Sequence, residues 1–297
     1  MAIVIAGASG FVGRALVARL LKEGQAVRAL TRGPGNPWGP AVGAVRWDPA
    51  DSKGAWRTAL EGAEAVINLC GENIAAGRWT DERKKAILDS RANATAALAR
   101  ALPQKGVLVN ASAVGYYGAR GEEVLTESSA AGTGFLADVC KRWEAAAAEN
   151  APAGARVALA RLGVVLGPGG GALPRMALPF KLFGGGPVGD GKQWMPWVHL
   201  DDAVGALLHL ARTPSARGPF NVVAPEAARN IEVSRALGRA LGRPCWLPAP
   251  AFAFKLALGE MSGLLLDSQR VEPAALKASG YRFARPSADE ALKASFL

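Results

Sequence analysis

Residues 2–6, Ala-Ile-Val-Ile-Ala, open the chain as an unbroken run of small and branched apolar side chains, the pattern of a strand buried on both faces of a parallel sheet. The pattern then changes. Glycines stand at 7, 10 and 13, and from Arg14 to Lys22 the apolar residues fall at 16, 17, 20 and 21, the spacing of one helix face. Gly24 is placed to cap that helix. Apolar runs predict further strands over residues 25–31, 44–47, 63–70, 107–112, 156–162 and 218–223. Between the fourth and fifth lies one long helical pattern, 79–102, with Thr80 as its N-cap. An Ala-rich helix over 135–150 separates the fifth strand from the sixth. Strand and helix alternate, which specifies an α/β fold, a Rossmann-type doubly wound parallel sheet with right-handed crossovers.

Residues 1–165 thus read as a dinucleotide-binding domain whose sheet is completed by about 195–224. From 166 to 194 glycine and proline punctuate the chain at 167–171 and 184–191, an excursion expected to line a pocket and not to join the sheet. Order returns at 197–202 and continues as a helix to about Arg212. Residues 225–297 form a mostly helical substrate-side region, with helical patterns near 230–241, 251–260 and 287–295.

The strand–glycine–helix context gives the glycines a mechanism. Gly7 permits a tight turn, Gly10 lets a phosphate approach the backbone, and Gly13 lets the helix lie close to the strand. The N–H groups at the helix start, around Ser9, Phe11 and Val12, face a pyrophosphate with about half a positive charge behind them. An acidic residue binding a free ribose 2′-hydroxyl is expected about twenty residues further on. Here Thr31 is followed by Arg32. A guanidinium suits a 2′-phosphate that a carboxylate repels, so NADP (NADPH) is the expected cofactor.

Composition narrows the remaining possibilities. Half of the 297 residues are hydrophobic and a fifth are charged, enough for a sizeable core. Three widely spaced cysteines argue against a disulfide framework, and two histidines without metal-ligand spacing argue against a metal site. No apolar stretch reaches the eighteen or so residues of a membrane span, and the first strand begins at once, so a cytoplasmic protein is expected, with no membrane partner. The formal charge is +10. The densest charge cluster, 81–85, mixes signs, which disfavours nucleic acid as a partner. The excess is better suited to attracting an anionic cofactor or substrate.

Several strings carry a resemblance. Gly7-Ala-Ser-Gly-Phe-Val-Gly13, Ser112 on the fifth strand, Arg161-Leu-Gly-Val-Val-Leu-Gly167 and Trp197-Val-His-Leu-Asp-Asp202 resemble the extended short-chain dehydrogenase/reductase superfamily, home of nucleotide-sugar epimerases and dehydratases. Asn68-Leu-Cys-Gly-Glu-Asn73, Arg78-Trp-Thr80, Ser112-Ala-Val-Gly-Tyr-Tyr-Gly118, Trp143-Glu144 and Gly169-Gly-Gly171 are similar to its atypical "epimerase family" branch. So are Leu258-Gly-Glu-Met261 and Leu266-Asp-Ser-Gln-Arg-Val271. The resemblance spans essentially the whole chain. It implies that Asp48 faces the adenine and that Asn68, Leu69, Cys70 and Gly71 lie beside the cofactor. Arg91, Ala111, Leu162 and Gly163 complete the candidate contacts. Dimerisation through the long helices is common in the superfamily, so a homodimer is a candidate by analogy.

The superfamily's chemistry implies a Tyr-x-x-x-Lys pair, in which the Lys and the nicotinamide ribose prepare the Tyr to exchange a proton while hydride moves. This chain departs from it. Its tyrosines are 116, 117 and 281, and four residues beyond them stand Arg120, Gly121 and Arg285. On the helix that should carry the pair, alignment on Glu144 puts Leu136 at the Tyr position and Cys140 at the Lys position. A shift of one brings Lys141 into register but leaves Ala137 for the Tyr. The candidate substitutes are Ser112 to orient a carbonyl, Tyr116 or Tyr117 for the phenol, and Lys141 for the ribose. Cys140 reads as a small buried hydrophobe, and His199 as locally bonded near the pocket mouth.

The expected function is an NADP(H)-binding, epimerase-like oxidoreductase acting on a carbonyl or hydroxyl of an anionic small molecule, with nucleotide sugars among the candidates. Residues 163–197 and the C-terminal helices roof the expected pocket. Trp194, Met195, Trp197 and the helices after Pro248 supply apolar walls, and Arg78, Arg91 and Lys192 are phosphate candidates. The alternative is a non-catalytic NADP(H) sensor.

Overall fold

The structure, a computed structural model, describes residues 1–33, 35–51 and 53–296. The first half runs β1 (Ala2–Ala6), α1 (Phe11–Lys22), β2 (Val27–Thr31), β3 (Val42–Arg46), β4 (Ala63–Asn68), α2 (Asp81–Ala101) and β5 (Val107–Ala113). Then come β6 (Val124–Leu125), α3 (Phe135–Asn150), β7 (Arg156–Leu162), β8 (Val164–Leu166), α4 (Leu173–Lys181), β9 (Trp194–Met195) and β10 (Trp197–His199). The remainder is α5 (Leu200–Arg212), β11 (Gly218–Val222), β12 (Ala228–Arg229), α6 (Asn230–Leu241), α7 (Ala251–Leu258), α8 (Gly263–Leu266), β13 (Arg270–Val271), α9 (Ala274–Ala278) and α10 (Ala288–Ser295).

Seven strands form one parallel sheet in the order β3-β2-β1-β4-β5-β7-β11. Its side chains alternate between two cores. Ile3 and Ile5 pack under α1 and α5 with Leu16, Leu20 and Leu207, whereas Val4 and Ala6 pack under α2 and α3 with Leu98 and Ala147. Both faces of β1 are therefore apolar, which is why residues 2–6 show no polar alternation. The strand order reverses between β1 and β4, and open sheets of this kind hold ligands at such a switch point, beyond the carboxyl ends of the strands.

The expected doubly wound sheet is present, with strand ends shifted by a residue or two. No described residue of 163–197 joins it: β8 pairs with β10, and β9 pairs with β12. The excursion is nonetheless more ordered than its glycines predict, because it contains α4. Pro174 lies in that helix's first turn, where no N–H is needed, and Pro179 lies close to its end. Residues 251–260 divide into α7 and a 3-10 turn over Gly259–Ser262. Helix α9, only five residues long, has no counterpart in the sequence pattern.

The C-terminal region is laced back onto the sheet. β13 pairs with β6. The buried carboxylate of Asp202 on α5 accepts hydrogen bonds from the Tyr281 hydroxyl (3.1 Å) and the Ala284 and Arg285 amides (2.7 and 2.8 Å). Among the described residues, no helix is long and apolar enough to cross a membrane and no side-chain cluster suits a metal ion.

Candidate nucleotide-binding and active site

Gly7, Gly10 and Gly13 sit at the switch point. Gly7 has φ +83°, and a Cβ there would lie 2.7 Å from the Leu69 carbonyl carbon. A Cβ on Gly13 would lie 2.3 Å from the Gly7 oxygen, so the start of α1 rests directly on the turn. Gly10 is the N-cap of α1 and meets only the Gly7 oxygen, at 3.3 Å. The first intrahelical bond joins the Arg14 amide to the Gly10 oxygen. The amides of Phe11, Val12 and Gly13 meet no backbone acceptor among the described residues. These open donors at the positive end of a helix form an anion site, flanked by the exposed Ser9.

Thr31 ends β2, and Arg32 follows it, exposed and without a hydrogen-bond or ion-pair partner among the described residues. Its charge reaches the Cys70 thiol, where it opposes the burial that pushes this group up to about 12. Arg32 therefore lies at the same crevice as the end of β4. Asp48, past β3, is exposed and accepts the Ala50 amide at 2.9 Å, closing a turn.

The β4 end is held rigidly. The Leu69 amide bonds the Ala6 oxygen at 2.8 Å, and the Cys70 amide bonds Asn68 Oδ1 at 3.1 Å. Asn68 Nδ2 donates to Thr95 Oγ1 and Asn110 Oδ1 (2.9 and 2.7 Å), and Trp143 Nε1 also donates to Thr95 (2.9 Å). This buried lattice ties β4 and β5 to α2 and α3, with every side-chain donor used. Arg91 departs from the expected phosphate role. Its guanidinium packs behind Gly71, donates to the Glu72 and Ile87 carbonyls and lies 5.1 Å from the Trp143 ring centroid. It buttresses the loop from below, and burial lowers its pKa.

At the β5 end, Ala111 is buried, and Ser112, 1 % exposed, donates to Glu144 Oε1 at 2.7 Å. Glu144 also receives a bidentate pair from Arg161, Nε and Nη2 each at 2.8 Å. Burial pulls the Arg161 guanidinium down, but the Glu144 carboxylate and the Tyr117 oxygen outweigh it and hold it above the usual arginine value. Arg161 Nη1 donates to the Tyr117 hydroxyl (2.9 Å), which donates to Asn221 Oδ1 (2.7 Å). Tyr117 is fully buried, and burial raises its pKa. It belongs to the scaffold.

Tyr116 differs. It is half-buried, the Arg161 guanidinium carbon stands 3.5 Å from its ring centroid, and no group among the described residues bonds its hydroxyl. The 3-10 turn carrying it, Val114–Tyr117, faces α3 where the superfamily's pair would stand. A Cβ on Gly115 would lie 3.3 Å from Leu136 Cβ and 3.8 Å from Cys140 Sγ. Cys140 is a buried hydrophobe as expected, its thiol pushed up to about 12 by burial and by the nearby Glu144. Lys141, in contrast, is half exposed and paired with Asp138 at 2.7 Å one turn back, on a face turned away from Cys140.

The overhang comes from two directions. Gly170 and Gly171 press against the Phe11 ring, where a Cβ on either would come within 2.7 Å, and Arg175 on α4 donates to the Ala75 oxygen at 3.2 Å. Leu162 and Gly163 leave β7 beneath it; a Cβ on Gly163 would strike the Pro196 oxygen at 2.8 Å. Gln269 Nε2 donates to the Gly118 oxygen at 2.8 Å, fastening the C-terminal segment over the Tyr116 turn. Trp194, Met195 and Trp197 line one cavity as expected, but it is small, about 10 Å³, and Trp197 itself is 1 % exposed and packs between α4, α6 and α10. Lys192 is exposed opposite Asp190. Arg78 is exposed beside Gly259. Trp194 is gripped by Arg229 and Arg270, 4.3 and 4.9 Å from its ring centroid. His199 is locally bonded as expected, its Nδ1 accepting the Asp201 amide at 3.1 Å. Sequence reasoning missed the Ser112–Glu144–Arg161–Tyr117–Asn221 chain as a unit. Its signal was the occurrence of Ser112, Tyr117, Glu144 and Arg161, but not Asn221, within the strings that carry the family resemblance.

Residues 3–223 match the model of the NAD dependent epimerase/dehydratase family, and residues 249–295 match a domain of unknown function, DUF1731. An epimerase family protein of Mycobacterium bovis (Mb2239) is 42% identical, over 98% of this chain and 96% of the relative. The chloroplastic SDR39U1 homolog of Arabidopsis thaliana is 40% identical, over 99% and 86%. The crystal structure of the human epimerase family protein SDR39U1 with NADPH superposes with a TM-score of 0.91 at 35% identity, covering 100% of this chain and 99% of that one. The UDP-glucuronic acid 4-epimerase of Bacillus cereus shares the fold at a TM-score of 0.78 and 15% identity. From sheet order, glycine turn and whole-length similarity together, the chain belongs to the NAD-dependent epimerase/dehydratase family.

Proposed function

We propose that this protein binds NADP(H) along the carboxyl edge of its sheet and catalyses hydride exchange at a carbonyl or hydroxyl carbon of an anionic small molecule, with nucleotide sugars as the leading class. The observation that carries this reading is that three unsatisfied features follow the carboxyl ends of strands of the one sheet: the open amides of Phe11, Val12 and Gly13 after β1, the unpartnered Arg32 after β2, and the free Tyr116 hydroxyl after β5. The residues fit the cofactor. The α1 amides suit its pyrophosphate, Arg32 a 2′-phosphate, Thr31 and Asp48 the adenosine side, and Leu69, Cys70 and Gly71 the wall between. Ala111, Leu162 and Gly163 continue that wall toward the nicotinamide. The SDR39U1 structure with NADPH supports the same choice.

When bound, the dinucleotide supplies or accepts the hydride. The chain must then move a proton at the substrate oxygen, and Tyr116 is the group placed for it. Arg161, stacked on its face, fixes the ring, and Glu144 holds Arg161 in turn. Ser112 acts through Glu144 as a positioning residue, since its hydroxyl proton is already donated. Lys141 is assigned no step, because it faces solvent with Asp138. The exposed Arg78 and the +10 net charge favour an anionic substrate.

A second reading, a non-catalytic NADP(H) sensor, is favoured by one observation: apolar Leu136 and a protonated Cys140 thiol occupy the superfamily's acid–base positions. The two readings separate in one experiment. NADPH consumption is followed over a panel of carbonyl compounds and nucleotide sugars, with wild type and Tyr116→Phe. Turnover reduced roughly 10²–10⁴-fold in the variant, at unchanged NADPH affinity, supports the enzyme. Equal turnover in the variant removes Tyr116 from the mechanism, and tight binding with no turnover across the panel moves the assignment to the sensor.

A further inference from the structure

Helix α7 is apolar except for Lys255, Ala-Phe-Ala-Phe-Lys-Leu-Ala-Leu, and yet has no buried residue. A helix with so little polar surface normally belongs in a protein core or in lipid. Here Phe252 and Leu256 are 72 % and 79 % exposed. It does not stand alone. The end of α4 and the turn after it present Leu178, Leu182 and Phe183 to solvent, and the segment entering α7 presents Trp246 and Leu247. These account for seven of the eleven exposed large apolar side chains among the described residues.

The two segments are stitched into one surface. Trp246 Nε1 donates to the Phe183 oxygen at 2.8 Å, the Trp246 amide bonds Gly185, and Val188 bridges Ala249. Phe183 is held at φ +61°, the only non-glycine residue with positive φ among those described. That conformation is disfavoured for a bulky side chain, and here it leaves the ring half exposed and not folded into the core. A contiguous apolar patch of this kind on a soluble fold marks a contact site.

The charges carried by its own segments are of one sign, with Asp190 and Glu260 just beyond their ends. Residues 172–189 and 243–258 contain no Asp or Glu, in a chain that has 25, and they carry Arg175, Lys181, Arg243 and Lys255. None of the four is in an ion pair among the described residues; Arg243 lies over the Phe183 ring, 4.5 Å from its centroid. A second copy docked face to face would oppose these cations to themselves. Apolar and aromatic side chains rimmed by Lys and Arg are instead the composition that settles on an anionic bilayer, with the rings at the headgroup level and the long cationic stems reaching the phosphates.

We propose that the face formed by α7, residues 243–250 and the end of α4 docks on the surface of an anionic lipid membrane, peripherally and without crossing it. The expectation of no membrane partner rested on the lack of a spanning segment, a criterion that does not bear on surface docking. The proposal is independent of the cofactor site.

The test is co-sedimentation of the full chain with phosphatidylcholine vesicles and with phosphatidylcholine/phosphatidylglycerol vesicles. Binding is expected to the second only, to weaken as salt is raised, and to be abolished in Phe252→Ser/Leu256→Ser. Removing two cations, Lys181→Ser/Lys255→Ser, should weaken it roughly 30-fold. All four side chains are exposed, so the circular dichroism spectrum should be unchanged. Failure to bind anionic vesicles at low salt overturns the proposal, as does equal binding by the Phe252/Leu256 variant. A dimer in solution that this variant dissociates, in the absence of vesicle binding, assigns the face to a second copy and overturns it too.

Discussion

Gly13 has no room for even a methyl group. A Cβ there would stand 2.3 Å from the Gly7 oxygen and 2.8 Å from Ala8 Cα, both backbone atoms of the turn it rests on. Neither can swing aside as a side chain can, so Gly13→Ala must push α1 away from β1. Overpacking of this sort costs about 1–3 kcal/mol, and the same shift moves the amides of Phe11 and Val12. The expected result in urea denaturation is a lowered midpoint with an unchanged slope, and an unshifted midpoint would mean that the helix has slack the structure does not show. The glycines were legible in the sequence because their requirement is local, set by backbone a few residues away. Ser112, Arg91 and Lys141 were legible only as residue types. What each does depends on partners brought from other elements: Glu144 on α3 for Ser112, the Glu72 carbonyl and Trp143 for Arg91, and Asp138 for Lys141. One sequence carries no signal of such pairings beyond helical spacing, which Lys141 and Asp138 alone satisfy.

At the scale of elements, α1, α2, α3 and α5 were readable because each buries a periodic apolar stripe against the sheet. Helix α4 was not, since its two prolines and the glycines flanking it mimic a loop. Trp197 has a double role that the pattern did not show: β10 packs against β8, so its indole joins a second core while still edging the small cavity lined by Trp194 and Met195. The N-terminus of α5 has a pH-dependent consequence. His199 is buried, its Nδ1 accepts the Asp201 amide, and its Nε2 has no partner among the described residues. Burial lowers its pKa below 6.5; the charges of Asp201 and Asp202 oppose this and Arg285 reinforces it. The folded chain therefore holds the ring neutral where the unfolded chain would protonate it. Stability is full above about pH 6.5 and falls as pH drops below it, with a slope of at most about 1.4 kcal/mol per pH unit from this one group. Thermal melts between pH 7.5 and 5 should show that decline, and His199→Asn, whose Oδ1 can accept the Asp201 amide in place of Nδ1, should flatten it. An identical decline in the variant would place the titrating group elsewhere.

For the whole molecule, the doubly wound sheet followed from alternation alone, and the family from strings spread over its full length. The interlocking of the C-terminal region with the sheet did not. It depends on Asp202 meeting Tyr281, Ala284 and Arg285, on Gln269 reaching Gly118, and on β13 finding β6, contacts between residues about 80 to 150 positions apart. That closure lays the C-terminal segment over the turn that carries Tyr116, at the carboxyl edge of the sheet. The NADP(H) site proposed along that edge has Arg32 as its phosphate-reading residue. Its most direct test is to titrate wild type and Arg32→Ala with NADPH and with NADH by fluorescence. Wild type should prefer NADPH, and the variant should lose about 1.5–3 kcal/mol toward NADPH, roughly ten- to a hundred-fold in affinity, with NADH binding nearly unchanged. Equal losses for the two cofactors, or a wild type that binds neither, would contradict it.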